Sequence, residues 1–373
     1  MGNDRLTSSL PASPRILIVK LSAVGDVIHA LPVARAIKTH WPESHVGWAV
    51  HPAMASLLRG HPHVDEVVEI PRRFFKESLS TLWGDVRKSL RANGQWDVAV
   101  DFQGLAKSGL VTRLSGAAVR LGFEGPWSRE LNHLFMTHQF RPAAQNIIPG
   151  NLEMIKLLGI ETTTARGELV FSSADENYIG AWAEDHGLHN KAKTSGLILD
   201  PFAGWTSKLW PQSRWVKLAT RASQELNLRP IIFYGPGEAD KATTLLETMP
   251  NFVDAVLAPP TTLPQYAALL KNYARAIVAG DTGPMHMAAI EGIPCVAMFG
   301  PSSPERNGPM FDEARVICLK DSSQPCSGTY TRRCKQHAPG ECMTGIGVNS
   351  VMDAISRVLS EEAGFEVLDV RIG

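Results

Sequence analysis

The sequence lacks an excess of either charge, a membrane-length hydrophobic run and a dense set of cysteines. Its 37 Lys and Arg residues balance 37 Asp and Glu residues, so no overall basic field would hold a nucleic acid. No apolar run is long enough to span a membrane, and residues 1–14 lack the apolar stretch of a signal peptide. Five cysteines fit a reducing compartment better than a disulfide framework. We therefore expect a globular cytoplasmic protein without a nucleic-acid partner.

Three catalytic or cofactor signatures are also missing. No G-x-S-x-G sequence occurs, which argues against a nucleophile elbow. The segment Tyr234-Gly-Pro-Gly-Glu238 has two of the three glycines of a dinucleotide fingerprint, which argues against NAD. No Asp-x-Asp pair occurs either, so the usual carboxylate clamp for a metal-bound nucleotide sugar is absent. No metal and no cofactor are expected.

Short apolar runs alternate with helical segments along the chain, which is typical of doubly wound parallel sheets. In the first half, the pattern predicts strands over residues 15–20, 46–50, 66–70 and 97–101, and helices over residues 26–40, 79–93 and 105–114. In the second half, it predicts strands over residues 196–200, 230–234, 274–280 and 294–300, and helices over residues 211–226, 263–272 and 350–362.

This alternation predicts an α/β protein with two Rossmann-like domains. The 373 residues are enough for two domains of ordinary size, and the pattern restarts between residues 162 and 173. We place the domains at residues 1–170 and 171–373, the second closed by the C-terminal helix. Two such sheets facing a cleft would line it with the carboxyl ends of their strands, where open α/β sheets bind ligands. Residues that follow the strands are therefore the candidates for chemistry.

Two segments of the first half follow predicted strands. In Lys20-Leu-Ser-Ala-Val-Gly-Asp26, Gly25 allows a tight turn and Asp26 falls in the first turn of a helix. The Asp26 carboxylate can either cap that helix or act as a general base. The second segment, Asp101-Phe-Gln-Gly-Leu-Ala-Lys107, can contact an acceptor, or Lys107 can be an exposed helix residue.

Three segments of the second half suit a nucleotide. In Gly204-Trp-Thr-Ser-Lys208, two hydroxyls and a lysine precede a helix and suit a phosphate, although a capped helix start gives the same pattern. Glu238 can bind ribose or base hydroxyls, or open a helix at the surface. The strongest pattern is Asp281-Thr-Gly-Pro-Met-His286, where small residues and a helix N-terminus suit a diphosphate and His286 lies one turn into the helix.

A basic stretch and a cysteine-containing segment each have two possible interpretations. Six basic side chains form either a solvated helix face or a docking surface for an anionic acceptor or membrane face; they are Arg72, Arg73, Lys76, Arg87, Lys88 and Arg91. Cys326, Cys334 and Cys342, with His337 between them, have the ligand types of a zinc site. Their spacing contains no C-x₂-C pair, so free thiols are expected.

Taken in order, these segments resemble the ADP-heptose:lipopolysaccharide heptosyltransferases, glycosyltransferase family 9, which have the GT-B fold. The resemblance runs from about Arg15 to Leu359. It rests on four signatures, at residues 18–29, 101–108, 208–211 and 281–286. Several motifs in the right order, each at a strand end, are more specific than any one of them alone.

The resemblance implies an inverting, metal-independent transfer of heptose from ADP-heptose to a hydroxyl of the lipopolysaccharide inner core. It implies that Asp26 is the general base, that Lys208 neutralises the donor phosphates and that Glu238 binds the nucleoside. The first domain would bind the acceptor and the second the ADP-sugar. The remaining donor contacts would be Thr206, Ser207, Asp281, Thr282, Gly283 and His286, and the acceptor contacts Ser22, Gly25, Gln103, Gly104 and Lys107.

Three alternatives stay open at this point. The same fold can act on another nucleotide sugar or glycan acceptor, because pocket shape sets that choice. A sugar-nucleotide isomerase of the same two-domain plan would act without an acceptor, and a non-catalytic binder would keep the phosphate site alone. A lipopolysaccharide acceptor would also bring the protein into peripheral contact with the inner membrane face.

Overall fold

The chain folds into two compact units, each built on one parallel sheet. The computed structural model describes residues 10–72, 80–188, 196–333, 341–360 and 364–370. The units are Met1–Val170 and Phe171–Gly373. None of the helices in these described ranges has the length and apolarity needed to cross a membrane.

The first unit contains a six-stranded sheet whose paired strands all run parallel. Its strands are β1 (Arg15–Val19), β2 (His45–Val50), β3 (Glu66–Glu69), β4 (Val98–Asp101), β5 (Val119–Phe123) and β6 (His138–Phe140). Their order is β3-β2-β1-β4-β5-β6. The central strand β1 is an uninterrupted apolar run buried from Ile16 to Val19, as expected for a parallel strand covered on both faces.

The helices of the first unit include a break that the sequence pattern does not predict. They are α1 (Val24–Ile28), α2 (Leu31–His40), α3 (Ser80–Leu90), α4 (Ala106–Ser115) and α5 (Ile147–Met154). We expected one helix from Asp26 to about His40, which is wrong. The helix begins at Val24, ends at Ile28 and resumes at Leu31. Pro32 lacks the N–H that would continue the helical ladder.

The second unit repeats the same topology with one more strand. Its strands are β7 (Gly196–Asp200), β8 (Arg229–Ile232), β9 (Val256–Leu257), β10 (Ala276–Gly280), β11 (Cys295–Phe299), β12 (Val316–Lys320) and β13 (Phe365–Asp369). All pairs are parallel, in the order β13-β12-β11-β10-β7-β8-β9.

The second unit does not end on its last helix. Its helices are α6 (Ser173–Asp185), α7 (Gln212–Leu226), α8 (Ala239–Glu247), α9 (Leu263–Tyr273), α10 (Gly283–Ile290), α11 (Pro304–Asn307) and α12 (Val348–Leu359). The expected closing helix is α12, but the chain continues into β13, which pairs with β12. The pattern of Phe365-Glu-Val-Leu-Asp369 is weakly apolar because this strand lies at the sheet edge.

Each sheet has a switch point between two neighbouring strands. In the first sheet, successive connections lead from β1 towards β3, and the chain then returns to place β4 on the other side of β1. In the second sheet, β7 and β10 have the same relation. Loops leaving the two strands diverge there and open a crevice at the carboxyl edge, where ligands of doubly wound sheets bind.

The core of the first unit depends on a close contact between a strand glycine and a tryptophan. Gly47 lies in β2 directly beneath the ring of Trp96, which is fully buried. Arg15 covers the same ring, with its Cζ atom 4.8 Å from the centroid. A side chain at residue 47 would collide with the indole, so the position requires glycine for space.

We predict that Gly47→Ala lowers the free energy of unfolding by about 1–3 kcal/mol, because an added methyl group overpacks the core against Trp96. Gly84→Ala is a matched control, since Gly84 is an exposed residue of α3 with open space around its Cα. That control should gain about 0.5–1 kcal/mol from helix propensity. Urea unfolding of the two variants measures both effects, and equal stabilities would contradict the prediction.

Candidate functional site

A buried ion pair joins the segments that follow β7 and β10, at the switch point of the second sheet. Lys208 ends a short 3₁₀ turn, Thr206–Lys208, and Asp281 directly follows β10. The Lys208 Nζ atom donates to both the main-chain oxygen and Oδ2 of Asp281, each at 2.7 Å. On the other carboxylate oxygen, Nε2 of His286 lies 3.2 Å from Oδ1. The structure thus brings together three residues predicted from two separate motifs.

These contacts keep the Asp281 carboxylate charged inside the protein. Its side chain is 7% exposed. Burial alone would raise the pKa of Asp281, but the contacts with His286 and Lys208 hold it well below its usual range. Asp281 therefore fixes the Lys208 ammonium at the carboxyl edge of the sheet.

Thr282 connects the same loop to β7. Its hydroxyl donates to Oδ2 of Asp200 at 2.6 Å. Thr282 is the N-cap residue of α10, but its side chain does not cap the helix, so the first-turn N–H groups beginning at Gly283 have no side-chain cap. Pro284 lies in that first turn, where its missing N–H costs nothing. The helix N-terminus is therefore suited to an anion.

Asp200 has the opposite electrostatic character to Asp281. It is 5% exposed at the end of β7. Burial raises the pKa of Asp200 to about 7, the hydroxyl of Thr282 lowers it, and the negative charge of Glu238 raises it further. The carboxyl is thus close to half protonated at neutral pH.

The remaining predicted donor contacts have different surroundings. Glu238 is the N-cap residue of α8 and accepts the N–H of Gly235 at 2.8 Å. A pocket of about 690 Å³ lies beside it, with Thr206, Trp215 and Lys241 among its other lining residues. Glu238 and Thr206 are therefore available to one ligand.

Ser207 is a predicted donor contact whose hydroxyl is bonded within the protein. Its side chain is 2% exposed, and its hydroxyl is shared between the carbonyl oxygens of Thr331 and Arg332, 2.7 and 3.1 Å away. Because its proton is directed to main-chain acceptors, Ser207 anchors the 331–332 segment, and its contact with a donor phosphate stays a prediction.

In the first unit, a second lysine joins the segments after β1 and β4. Lys20 is 3% exposed; its Nζ atom donates to the Phe102 oxygen at 2.8 Å and lies 3.3 Å from Oδ1 of Asp26. Asp26 lies in the first turn of α1 and accepts the N–H of Ala23 at 3.0 Å. The carboxylate therefore completes the helix start, as one interpretation of the motif expected. Its side chain is nevertheless 36% exposed, so it can also meet a solute.

The segment after Asp101 is hydrogen-bonded to the loop that carries Asp26. Gln103 accepts the N–H groups of Leu21 and Ser22 on its Oε1, at 3.1 and 3.2 Å. Asp101 is fully buried, and its Oδ1 accepts the N–H groups of Gln103 and Gly104. Burial raises the pKa of Asp101, against the hydrogen bonds that it accepts.

A buried amide closes the same network. Asn132 donates to Oδ2 of Asp101 at 2.7 Å and to the Leu105 oxygen at 2.8 Å. Gly104 has a φ of +69°, and a Cβ there would collide with the Trp127 oxygen. Glycine is therefore required by both backbone conformation and space.

The structure also places the other first-unit candidates. Gly25 is buried in α1, where its oxygen accepts the N–H of His29. Ser22 is half-buried beside Gln103, and Lys107 is exposed in the first turn of α4.

Parts of the basic and cysteine segments fall outside the described residues, namely Arg73, Lys76, Cys334 and His337. Of the described basic residues, Arg91 turns inward and donates to the Leu114 and Ser115 oxygens. Cys326 and Cys342 are buried. Within the described ranges, no three His, Cys, Asp or Glu side chains are grouped to hold a metal.

Sequence reasoning missed the buried residues that hold these groups in place. Lys20 and Asp101 stand inside the quoted motifs, but we assigned them no role. Asp200 ends an otherwise apolar strand, which is a signal that was available. Asn132 had no sequence signal, because its contacts depend on distant segments of the chain.

The raised pKa of Asp200 predicts an opposite pH dependence for two variants. Below about pH 4, Asp200 is protonated in both the folded and the unfolded protein. As the pH rises towards 7, the unfolded carboxyl ionises first, so stability falls through this window. Asp200→Asn cannot ionise and should be more stable than the wild type at about pH 8, by more than about 1.4 kcal/mol. That advantage should shrink as the pH is lowered to about 4.

Asp281→Asn should change stability in the opposite direction to Asp200→Asn. The lowered pKa of Asp281 means that its ionised form stabilises the fold above the unfolded pKa, so this variant should lose stability at about pH 8, where Lys208 is left without its partner. Thermal unfolding across pH measures both. If the stabilities of Asp200→Asn and the wild type changed in parallel with pH, the raised pKa of Asp200 would be contradicted.

Comparison with known proteins identifies the family. Residues 83–337 match the family model described as glycosyltransferase family 9 (heptosyltransferase). The chain is 29% identical over 325 residues to lipopolysaccharide heptosyltransferase 1 of Salmonella typhimurium, covering 83% of this chain and 95% of that protein. It is 24% identical over 314 residues to lipopolysaccharide core heptosyltransferase OpsX of Haemophilus influenzae, covering 84% and 86%.

Solved structures show the same fold. A family 9 glycosyl transferase from Veillonella parvula matches with a TM-score of 0.76 and 20% identity, over 93% of this chain and 97% of that one. The E. coli heptosyltransferase WaaC, solved with ADP, matches with a TM-score of 0.71 and 25% identity, over 92% and 99%. The predicted GT-B class of two Rossmann-like parallel-sheet domains is thus confirmed. The chain belongs to glycosyltransferase family 9, the heptosyltransferase family, and is a glycosyltransferase.

Proposed function

We propose that the protein transfers heptose from ADP-heptose to a hydroxyl of the lipopolysaccharide inner core, by a single displacement that inverts the anomeric carbon. The observation that carries the proposal is the Lys208–Asp281–His286 cluster beside the open N-terminus of α10. The relatives named as lipopolysaccharide heptosyltransferases support the reaction, and the related E. coli enzyme solved with ADP supports the nucleotide.

The second unit offers the groups that a nucleoside diphosphate needs. Lys208 and the N–H groups of the first turn of α10 are fixed before a ligand arrives, because Asp281 and Thr282 hold them. Negative charge grows on the diphosphate as the glycosidic bond breaks, so these groups would bind the transition state more strongly than the ground state. Glu238 and the adjoining pocket are available for the nucleoside.

The first unit offers the base. Asp26 is the exposed carboxylate of its loop, and Lys20 and Ala23 fix its orientation. In the proposal, Asp26 removes the proton from the acceptor hydroxyl as the oxygen attacks the anomeric carbon on the face opposite ADP. The Gln103 and Asp101 hydrogen bonds keep the loop in place. The first unit is accordingly proposed to bind the acceptor and the second to bind the donor.

The proposal includes independence from a divalent metal. The sequence contains no Asp-x-Asp pair to hold one against a diphosphate, and the described second unit offers cationic and N–H groups in that role. A lipopolysaccharide acceptor would also bring the protein to the inner membrane face. The exposed side chains of Arg72, Arg87 and Lys88 are the described part of the basic stretch that would meet its anionic surface.

Removal of the base should abolish turnover without unfolding the protein. We predict that Asp26→Asn lowers kcat by about 10²–10⁴-fold, because an amide cannot accept the proton although it can still accept the N–H of Ala23. The matched control is Asp85→Asn on the exposed face of α3, which should leave turnover unchanged. Circular dichroism checks the fold of both. Retained activity in Asp26→Asn would remove Asp26 from the base role.

The proposed donor and acceptor are tested together by ADP release. ADP-heptose is supplied with and without a heptose-free lipid A–Kdo acceptor, and each reaction is repeated with a chelator. We expect release that requires the acceptor and is insensitive to chelator. ADP release without any acceptor would indicate transfer to water, and conversion of ADP-heptose to another ADP-sugar without ADP release would favour an isomerase. Loss of release with chelator would contradict metal independence.

A further inference from the structure

A second cation stands beside Lys208 and was assigned no role by the sequence motifs. The indole ring of Trp205 lies next to the 3₁₀ turn that carries Lys208. Lys208 Nζ is 4.6 Å from the centroid of this ring, and the Cζ atom of Arg332 is 5.3 Å from the same centroid. Both distances are within cation–π range. One tryptophan therefore gathers two positive side chains at this edge of the second unit.

The backbone that carries Arg332 is attached to the Lys208 segment. The Ser207 hydroxyl bonds to the carbonyl oxygens of Thr331 and Arg332. Lys208 directly follows Ser207 in the chain. The same short turn therefore carries Lys208 and binds the main chain of Arg332. Tyr330, just before this pair, also donates its N–H to the Pro301 oxygen at 2.8 Å. The position of Arg332 is thus fixed by main-chain bonds as well as by the ring contact.

The charge balance shows why a second cation is needed. Lys208 is paired with Asp281, whose pKa is held low, so the two charges compensate each other. A diphosphate that approached this pair would meet little net positive charge. Arg332 is exposed and forms no ion pair with another described residue. It is therefore the uncompensated charge beside Lys208.

We infer that Arg332 is a diphosphate-binding residue, which contacts the donor phosphates together with Lys208 and takes up the negative charge of the departing ADP. This inference rests on the proposed function for the identity of the nucleotide. A guanidinium suits the role because its planar donors can bond two phosphate oxygens at once. The Trp205 ring limits its rotamers before the ligand arrives, which reduces the ordering cost of binding.

The test compares binding of ADP and adenosine by calorimetry in Arg332→Gln, Arg332→Lys and Arg333→Gln. Arg333 is an exposed neighbour with no described contact to Trp205. Arg333→Gln removes the same charge as Arg332→Gln, so it is the matched control. We expect Arg332→Gln to weaken ADP binding about tenfold or more and to leave adenosine binding unchanged. Arg332→Lys should recover part of the loss, and Arg333→Gln should bind ADP like the wild type.

Turnover separates this inference from the proposed function. With ADP-heptose and the lipid A–Kdo acceptor, Arg332→Gln should lower kcat as well as donor affinity, because the leaving group gains charge in the transition state. A wild-type protein that binds ADP but does not turn over ADP-heptose would contradict the proposed function and leave the binding comparison valid. Equal losses of ADP affinity in the two Gln variants, or a wild type that binds ADP no better than adenosine, would overturn the role of Arg332.

Discussion

The ion pair between Lys208 and Asp281 is the interaction on which the second half of the site depends. It joins the loops that leave β7 and β10, which are neighbours in the sheet but far apart in the chain. A lone charge at this depth would cost several kcal/mol to desolvate. Because each charge needs the other, the pair fixes both loops at once. The pair thereby places the 3₁₀ turn of Lys208 beside the segment that leads into α10.

In the first unit, a lysine and an aspartate also connect the loops at the switch point of the sheet. The aspartate there is more exposed than its counterpart in the second unit. Lys20 joins the segments after β1 and β4, as Lys208 joins those after β7 and β10. The carboxylate that meets Lys20 is 36% exposed, whereas Asp281 is 7% exposed and has contacts on both oxygens. This difference in exposure supports the proposal that Asp26, and not Asp281, acts as the base. Asp26 can meet a substrate, while Asp281 holds a cation and is occupied by it.

Local apolar patterns predicted eight of the strands from the sequence, including the edge strand β3, whereas β5, β6, β9, β12 and β13 were not predicted. Central strands such as β1 and β7 are continuous apolar runs that a local pattern can recognise. Their predicted bounds agree with the structure within one residue. The edge strand β13 is half polar and is defined by main-chain bonds to β12, which a local pattern does not contain. The site followed the same rule. Motifs at strand ends predicted Lys208, Asp281 and His286, but not the tertiary contacts that gave Ser207 a structural role.

The two carboxyl groups at the ends of β7 and β10 show how the second unit keeps its charge balanced. Their different surroundings shift the pKa values of the two carboxyl groups in opposite directions. Asp281 receives Lys208 and His286 and stays ionised, whereas Asp200 receives a neutral hydroxyl and has a pKa of about 7. The cluster is therefore close to neutral before a ligand binds. The proposed release of a charged diphosphate would need additional positive charge, and Arg332 beside Trp205 is the cation that we propose supplies it.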